Sequence, residues 1–347
     1  MVKLLNCIIV LSLLIANTSY SEISGLLNWN HTIERYPVVL PHIGGASSEE
    51  SLKLYVSSLK DSRKYRELTK KISFDSYLTK SDVSKPIKNN KLKLLIVANR
   101  PISNKLALNS KVADKLTSQN HELRILPIGL DLVLRGEQEK NEFFNLLKDE
   151  FDGVIFVGGG DIHPALYGQK PRFNVGSNLA RDRFELDLLA FWYHQTDKPL
   201  FGICRGHQLV GVFFKGQVIQ DIEHDLPNIS VRHREKGTSL KDVDFQTKSQ
   251  WHKLALKPEK ESIFHAFKTR AIRVNSRHHQ AIVKPIDESK VSVVAEAEGI
   301  IEILELKGHR GFSVQFHPED METQSGDKIM AMMQDYVGLS LSKKPAA

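Results

Sequence analysis

From residue 91 onward the chain alternates short, nearly continuous apolar runs with longer stretches that are apolar on one side only. "KLKLLIVAN" (91–99), "HELRILPIG" (121–129), "FDGVIFVGGGD" (151–161) and "KPLFGIC" (198–204) are of the first kind. Runs of that length predict strands buried on both faces, as in a parallel sheet. A stretch near 105–119, "GEQEKNEFFNLLKDE" (136–150), "ARDRFELDLLAFWYHQT" (180–196) and "RGHQLVGVFFKG" (205–216) predict helices between them. Strand, helix, strand, helix with short connections predicts an α/β doubly wound sheet in three αβα layers. Residues 217–318 are richer in strands, namely "QVIQDI", "SVVAEAEG", "IIEILELKG" and "GFSVQFH". "SGDKIMAMMQDYVGL" (325–339) closes the chain as a helix.

The first 90 residues lack this rhythm. "MVKLLNCIIVLSLLIANTSYSE" has one early lysine, an apolar stretch and small residues suited to cleavage after Ser21. That is the pattern of a secretory signal, with a run shorter than the ~20 residues of a comfortable membrane span. The expectation is a secreted or periplasmic protein without stable membrane insertion; an uncleaved anchor is the alternative. Residues 22–90 read as an extension with one helical stretch (47–72) and a polar linker (81–91). Residues 91–340 then form the main domain. Residues 51–100 carry 13 Lys and Arg against 4 Asp and Glu, an excess larger than the whole chain's +7. The lysines are scattered and no nucleic-acid motif accompanies them, so a solvated basic face is expected and no nucleic-acid partner.

Two cysteines are present, Cys7 and Cys204. Removal of the signal leaves Cys204 as a lone thiol, either a buried small side chain or a reactive one. "FGICRGHQ" favours the second. A strand ends at Ile203 and a helix begins near Arg205, with Gly202 and Gly206 on either side. This G-x-C-x-G pattern has the form of a nucleophile elbow. It would put the side chain at the carboxyl edge of the sheet and at a helix N-terminus, which favours the thiolate. The backbone N–H of Arg205 would point toward a forming oxyanion. A thiol also needs a base. In "FSVQFHPE", His317 ends a strand and Glu319 stands two residues on, where it can orient the imidazole. The glycines of "VIFVGGGD" allow close approach of backbone N–H groups, so Gly158 or Gly159 is a candidate second oxyanion donor; the Walker and dinucleotide patterns are absent. In "VNSRHHQAI", His278 and His279 follow a strand. No H-E-x-x-H or cysteine pair at zinc spacing accompanies them, which leaves a substrate-facing loop or surface histidines.

Taken together, "GGGDIHPALYG", "RDRFELDLL", "FGICRGHQ", "VNSRHHQ", "AEGIIEILE" and "FSVQFHPE" resemble the class I glutamine amidotransferase-like superfamily, and within it the peptidase C26 branch of γ-glutamyl-γ-aminobutyrate hydrolases and γ-glutamyl hydrolases. The resemblance covers about residues 92–335. It implies a flavodoxin-like fold, with Cys204 as nucleophile, His317 as base and Glu319 as its partner. Gln208, His278 and His279 would face the γ-glutamyl group. The family usually carries an Asn and a Gly-Gly pair after the elbow, where this chain has Gly211 and Lys215-Gly216. The basic extension has no counterpart in compact members.

The activity this implies is hydrolysis of γ-glutamyl amides through a thioester, with no metal or organic cofactor and a small-molecule γ-glutamyl substrate. A homodimer is compatible with the sequence. Two alternatives remain open at this stage. One is the glutaminase part of an ammonia-channelling synthetase. The other is a non-catalytic binding protein on the same fold.

Overall fold

The computed structural model describes residues 93–97, 122–126, scattered helical positions between 112 and 149, and 151–341 apart from 174–176, 178 and 235–249. The expected signal segment, the basic extension and its linker lie outside the described residues. So does most of the helix expected near 105–119, of which Val112, Lys115 and Leu116 are described and helical.

Four of the five parallel strands come from the apolar runs: β1 (Lys93–Val97), β2 (Glu122–Leu126), β3 (Gly153–Phe156) and β4 (Leu200–Ile203). β11 (Gly311–Val314) is the fifth, and the sheet runs β2-β1-β3-β4-β11. The pleat sends alternate residues to opposite faces. Leu95, Val97, Val154 and Phe156 pack with Phe184, Leu188 and Trp192 of α1 (Leu179–Gln195) and with Leu209 of α2 (Arg205–Phe213). Leu94, Ile96, Ile155, Phe201 and Val314 turn to the other face. There they meet Ile329, Met330 and Met333 of α4 (Gln324–Leu341). β1, β3, β4 and β11 are covered on both faces, which is why they contain hardly a polar residue. The chain thus has the three-layer, doubly wound class I glutamine amidotransferase-like fold expected from its sequence.

Beyond β11 the sheet continues antiparallel through β10 (Ile300–Leu306), β8 (Ala281–Val283) and β5 (Gln217–Ile219), with β9 (Val291–Ala297) also pairing to β10. The expected strand "QVIQDI" is shorter than its pattern suggested. It breaks after Ile219, because Asp221 caps a one-turn helix, α3 (Ile222–Asp225), by accepting from His224 N at 2.9 Å. A separate two-stranded sheet joins β6 (Gln250–Ala255) to β7 (Ala271–Ser276). Among the described residues no helix is long and apolar enough to cross a membrane.

Candidate active site

Cys204 sits between β4 and α2 with φ 53° and ψ −105°, a positive φ that non-glycine residues seldom adopt. Such strain costs on the order of 1–3 kcal/mol and persists only when the surroundings impose it. Here they do. The Cys204 N–H donates to Val314 O at 2.8 Å across to β11, and its carbonyl accepts from Gln208 N at 3.1 Å. The two neighbouring glycines are required by space. A Cβ on Gly206 would stand 2.0 Å from Phe156 O, and one on Gly202 would stand 2.6 Å from Gly206 O. α2 therefore rests backbone-to-backbone on β3 and β4, and the turn is sharp enough to lift the thiol to the sheet edge.

β11 is the parallel neighbour of β4, with Val314 paired to Ile203. His317 lies three residues past that pair, on the same edge. One point locates both groups. A Cβ built on Gly158, at the end of β3, would lie 3.2 Å from His317 Cε1 and 3.6 Å from Cys204 Cβ. The imidazole stands beside Cys204 on one side. On the other, Nδ1 donates to Glu319 Oε1 at 2.8 Å, which leaves Nε2 for the sulfur. Burial opposes the imidazolium. The negative charges of Cys204 and Glu319, with their hydrogen bonds, outweigh it and push the His317 pKa up to about 10. Cys204 is also at the N-terminus of α2, where the helix dipole favours an anion.

The backbone of His317 is held as firmly as its ring. Asn275, in β7, accepts from His317 N at 2.8 Å and donates to His317 O at 3.0 Å. On the other side of the elbow, the buried guanidinium of Arg205 is gripped by Asp182 and Glu185 of α1. Burial works against its charge, and the two carboxylates overcome this and hold it above its ordinary range. Asp182 also accepts from His163 N at 2.8 Å, so one carboxylate ties the elbow helix to the glycine-rich loop. Sequence reasoning assigned no role to Asn275, Asp182 or Glu185. Their signal was present: "RDRFELDLL" puts five charges into a helix in which residues 181–190 are all buried.

The remaining expected site residues are placed as follows. Gly158 is buried beside Cys204, and Gly159 is partly open in the same loop. The Gln208 amide turns inward and donates to Gln280 O at 2.9 Å and Gln315 Oε1 at 3.2 Å. His278 also turns inward. Its Nδ1 donates to Gln280 O at 2.8 Å, and its Nε2 points at Glu302. The structure gives both side chains interior partners, where the sequence reading expected them to face a ligand. His279 lies between two carboxylates, 2.9 Å from Asp161 and 3.4 Å from Asp221. Burial disfavours its charge, but these partners raise its pKa to about 9. Lys215, at the position of the family's usual glycine, takes φ 63°, so the left-handed turn after α2 is kept without glycine.

The arrangement at the sheet edge is that of a thiol beside an imidazole oriented by a carboxylate, which suits nucleophilic acyl transfer. The peptidase C26 family matches residues 98–319. The chain is 30% identical over 217 residues to the glutamine amidotransferase-like protein YvdE of Lactococcus lactis, spanning 62% of this chain and 82% of that one. It is 34% identical over 174 residues to protein NtpR of Enterococcus hirae, spanning 49% and 68%. Among solved structures, it resembles the glutaminase domain of Trypanosoma brucei CTPS at 14% identity, a TM-score of 0.46 and coverage of 74% of this chain and 96% of that one. On the profile match and these relatives, the chain belongs to the peptidase C26 family of class I glutamine amidotransferase-like proteins.

Proposed function

We propose that this protein hydrolyses γ-glutamyl amides through a covalent thioester on Cys204. The observation that carries this reading is the strained elbow itself, with Cys204 beside a His317 that Glu319 orients. In the first half-reaction the Cys204 thiolate attacks the γ-carbonyl carbon. The carbonyl electron pair moves to oxygen, where the N–H of Arg205 and that of Gly158 or Gly159 receive it. Collapse breaks the C–N bond, and the His317 imidazolium gives its proton to the departing amine. In the second half-reaction neutral His317 takes a proton from water, whose oxygen attacks the thioester. Glutamate leaves and the Cys204 thiolate and His317 imidazolium are restored.

His279 is held cationic between Asp161, in the glycine-rich loop, and Asp221, which ties that loop to the segment before α3. The signal-like N-terminus supports export, and an exported enzyme would meet γ-glutamyl peptides or conjugates. The test is turnover of a panel of γ-glutamyl anilides and peptides by the protein and by Cys204→Ala. Loss of all turnover with the fold intact supports the reading; unchanged turnover excludes it. The relatives described as glutamine amidotransferase-like favour a second reading, a glutaminase that feeds ammonia to a synthetase. Free glutamine as the best substrate, with hydrolysis stimulated by a synthetase partner, would select it.

A further inference from the structure

Behind the active site, four side chains from four separate segments meet in the interior. They are His233, from the stretch after α3; His252, in β6; His278, after β7; and Glu302, in β10. All four are at most 6% exposed. Glu302 Oε1 lies 3.4 Å from His233 Nδ1, 3.4 Å from His252 Nε2 and 3.9 Å from His278 Nε2. The His233 ring centroid is 5.0 Å from that of His252 and 4.8 Å from that of His278. Ligand atoms of His233, His278 and Glu302 all fall within 4.8 Å of one another.

These contacts are too long to be hydrogen bonds, whose N···O distances run to about 3.2 Å. Both Glu302 oxygens lack a hydrogen-bond partner, as do both nitrogens of His252 and Nε2 of His278. His233 Nδ1, the atom facing Glu302, has only a long contact of 3.3 Å to Ser276 Oγ. A buried carboxylate and three imidazoles left this way would cost several kcal/mol with nothing to offset it. The tautomer of His278 sharpens the point. Its Nδ1 must donate to the Gln280 carbonyl, so Nε2 carries a lone pair facing the lone pairs of Glu302. Two acceptors that face each other need a proton or a metal ion between them, and 3.9 Å is too long for a shared proton.

The spacing indicates which cation. Two ligand atoms each about 2.0–2.1 Å from a zinc ion, at the tetrahedral angle, stand about 3.3–3.4 Å apart. That is the separation of Glu302 from His233, and His278 stands somewhat farther out, at 3.9 Å. The carbonyl on His278 Nδ1 is the outer support that metal-binding histidines commonly have. His207 is close in sequence to the elbow but takes no part. Its two nitrogens are engaged with Ser313 Oγ and Ile301 O, each at 2.9 Å.

We propose that His233, His278 and Glu302 hold a divalent transition ion of the zinc type, with His252 packed beside Glu302. The ion would join the β6–β7 sheet and the segment after α3 to strand β10 of the main sheet. β7 also carries Asn275, which grips His317, so the site would anchor the wall that places the active-site imidazole. The site stands apart from the hydrolase reading and does not depend on it. No motif announced it, because its ligands come from three distant places in the chain.

The test uses the full chain purified without a histidine tag, stripped with EDTA and titrated with Zn²⁺ by calorimetry and with Co²⁺ by visible absorption. The expected result is one equivalent bound per chain, a tetrahedral Co²⁺ spectrum without a thiolate band, and a higher melting temperature for the loaded protein. Glu302→Gln and His233→Ala should each weaken binding by roughly 100-fold or more, whereas Cys204→Ala should bind as before. Failure of the stripped protein to take up one equivalent overturns the proposal. Binding that survives both substitutions, or that disappears in Cys204→Ala, overturns it as well. If either ligand variant fails to fold, X-ray absorption on the loaded wild-type protein decides. A nitrogen and oxygen shell with imidazole scattering supports the site, and a sulfur ligand overturns it.

Discussion

Asn275 holds His317 by both ends of one peptide unit's reach, accepting from its N–H at 2.8 Å and donating to its carbonyl at 3.0 Å. The imidazole is thus aimed by a side chain from the small β6–β7 sheet and not by β11 alone. Asn275→Ala should leave the fold intact, since two ordinary hydrogen bonds contribute about 1–3 kcal/mol together. The cost should fall on turnover. A misplacement of about 1 Å can reduce rate on the order of 100-fold, so kcat should drop far more than KM rises. A matched change in both would contradict the positioning role.

His317 should remain an imidazolium well above neutral pH. Its folded pKa of about 10 lies above the ordinary 6.5, so the stabilisation it contributes is complete below pH 6.5 and disappears as pH rises through about 10. After burial, which opposes the charge, the Cys204 anion is the first of the causes that raise it. Cys204→Ser removes that anion and should bring the titration down toward neutrality. Histidine NMR titrations of the two proteins measure this directly. An unchanged midpoint would mean that Glu319 alone sets the charge.

Arg205 is the charge most exposed to loss of a partner, because it is fully buried with Asp182 and Glu185. Glu185→Gln should destabilise the protein by about 3–5 kcal/mol, the range for breaking a buried pair by removing one member. Chemical denaturation measures it. A double change, Glu185→Gln with Arg205→Met, should recover part of the loss. Absence of any recovery would show that the uncompensated guanidinium is not the cause.

The positive φ of Cys204 makes a separable prediction. Cys204→Gly and Cys204→Ala both lack the thiol, yet only glycine relaxes at φ 53°. The glycine variant should therefore unfold at higher denaturant than the alanine variant, by about 1 kcal/mol or more. Equal stabilities would mean that the turn is not strained.

Much of the site was legible because its parts are local. The elbow is written in five consecutive residues, Gly202 to Gly206. The His317–Glu319 contact spans two positions, so spacing alone suggested it. Gln208 and His278 were read as ligand-facing because sequence gives no direction to a side chain at the edge of a sheet; packing turned both inward. The clamp on Arg205 lies 20 and 23 positions away, and the grip of Asn275 on His317 lies 42 away. Spacing carries no signal at such separations.

By itself the sequence determined the parallel strands, the covering helices and the turn that carries the thiol, because hydrophobic period and glycine placement act within a few residues of where they are written. Only the tertiary structure decided which buried charges found partners: Arg205 with Asp182 and Glu185, and His279 with Asp161 and Asp221. Burial makes each of those polar groups depend on a neighbour, and folding brings that neighbour from a distant part of the chain.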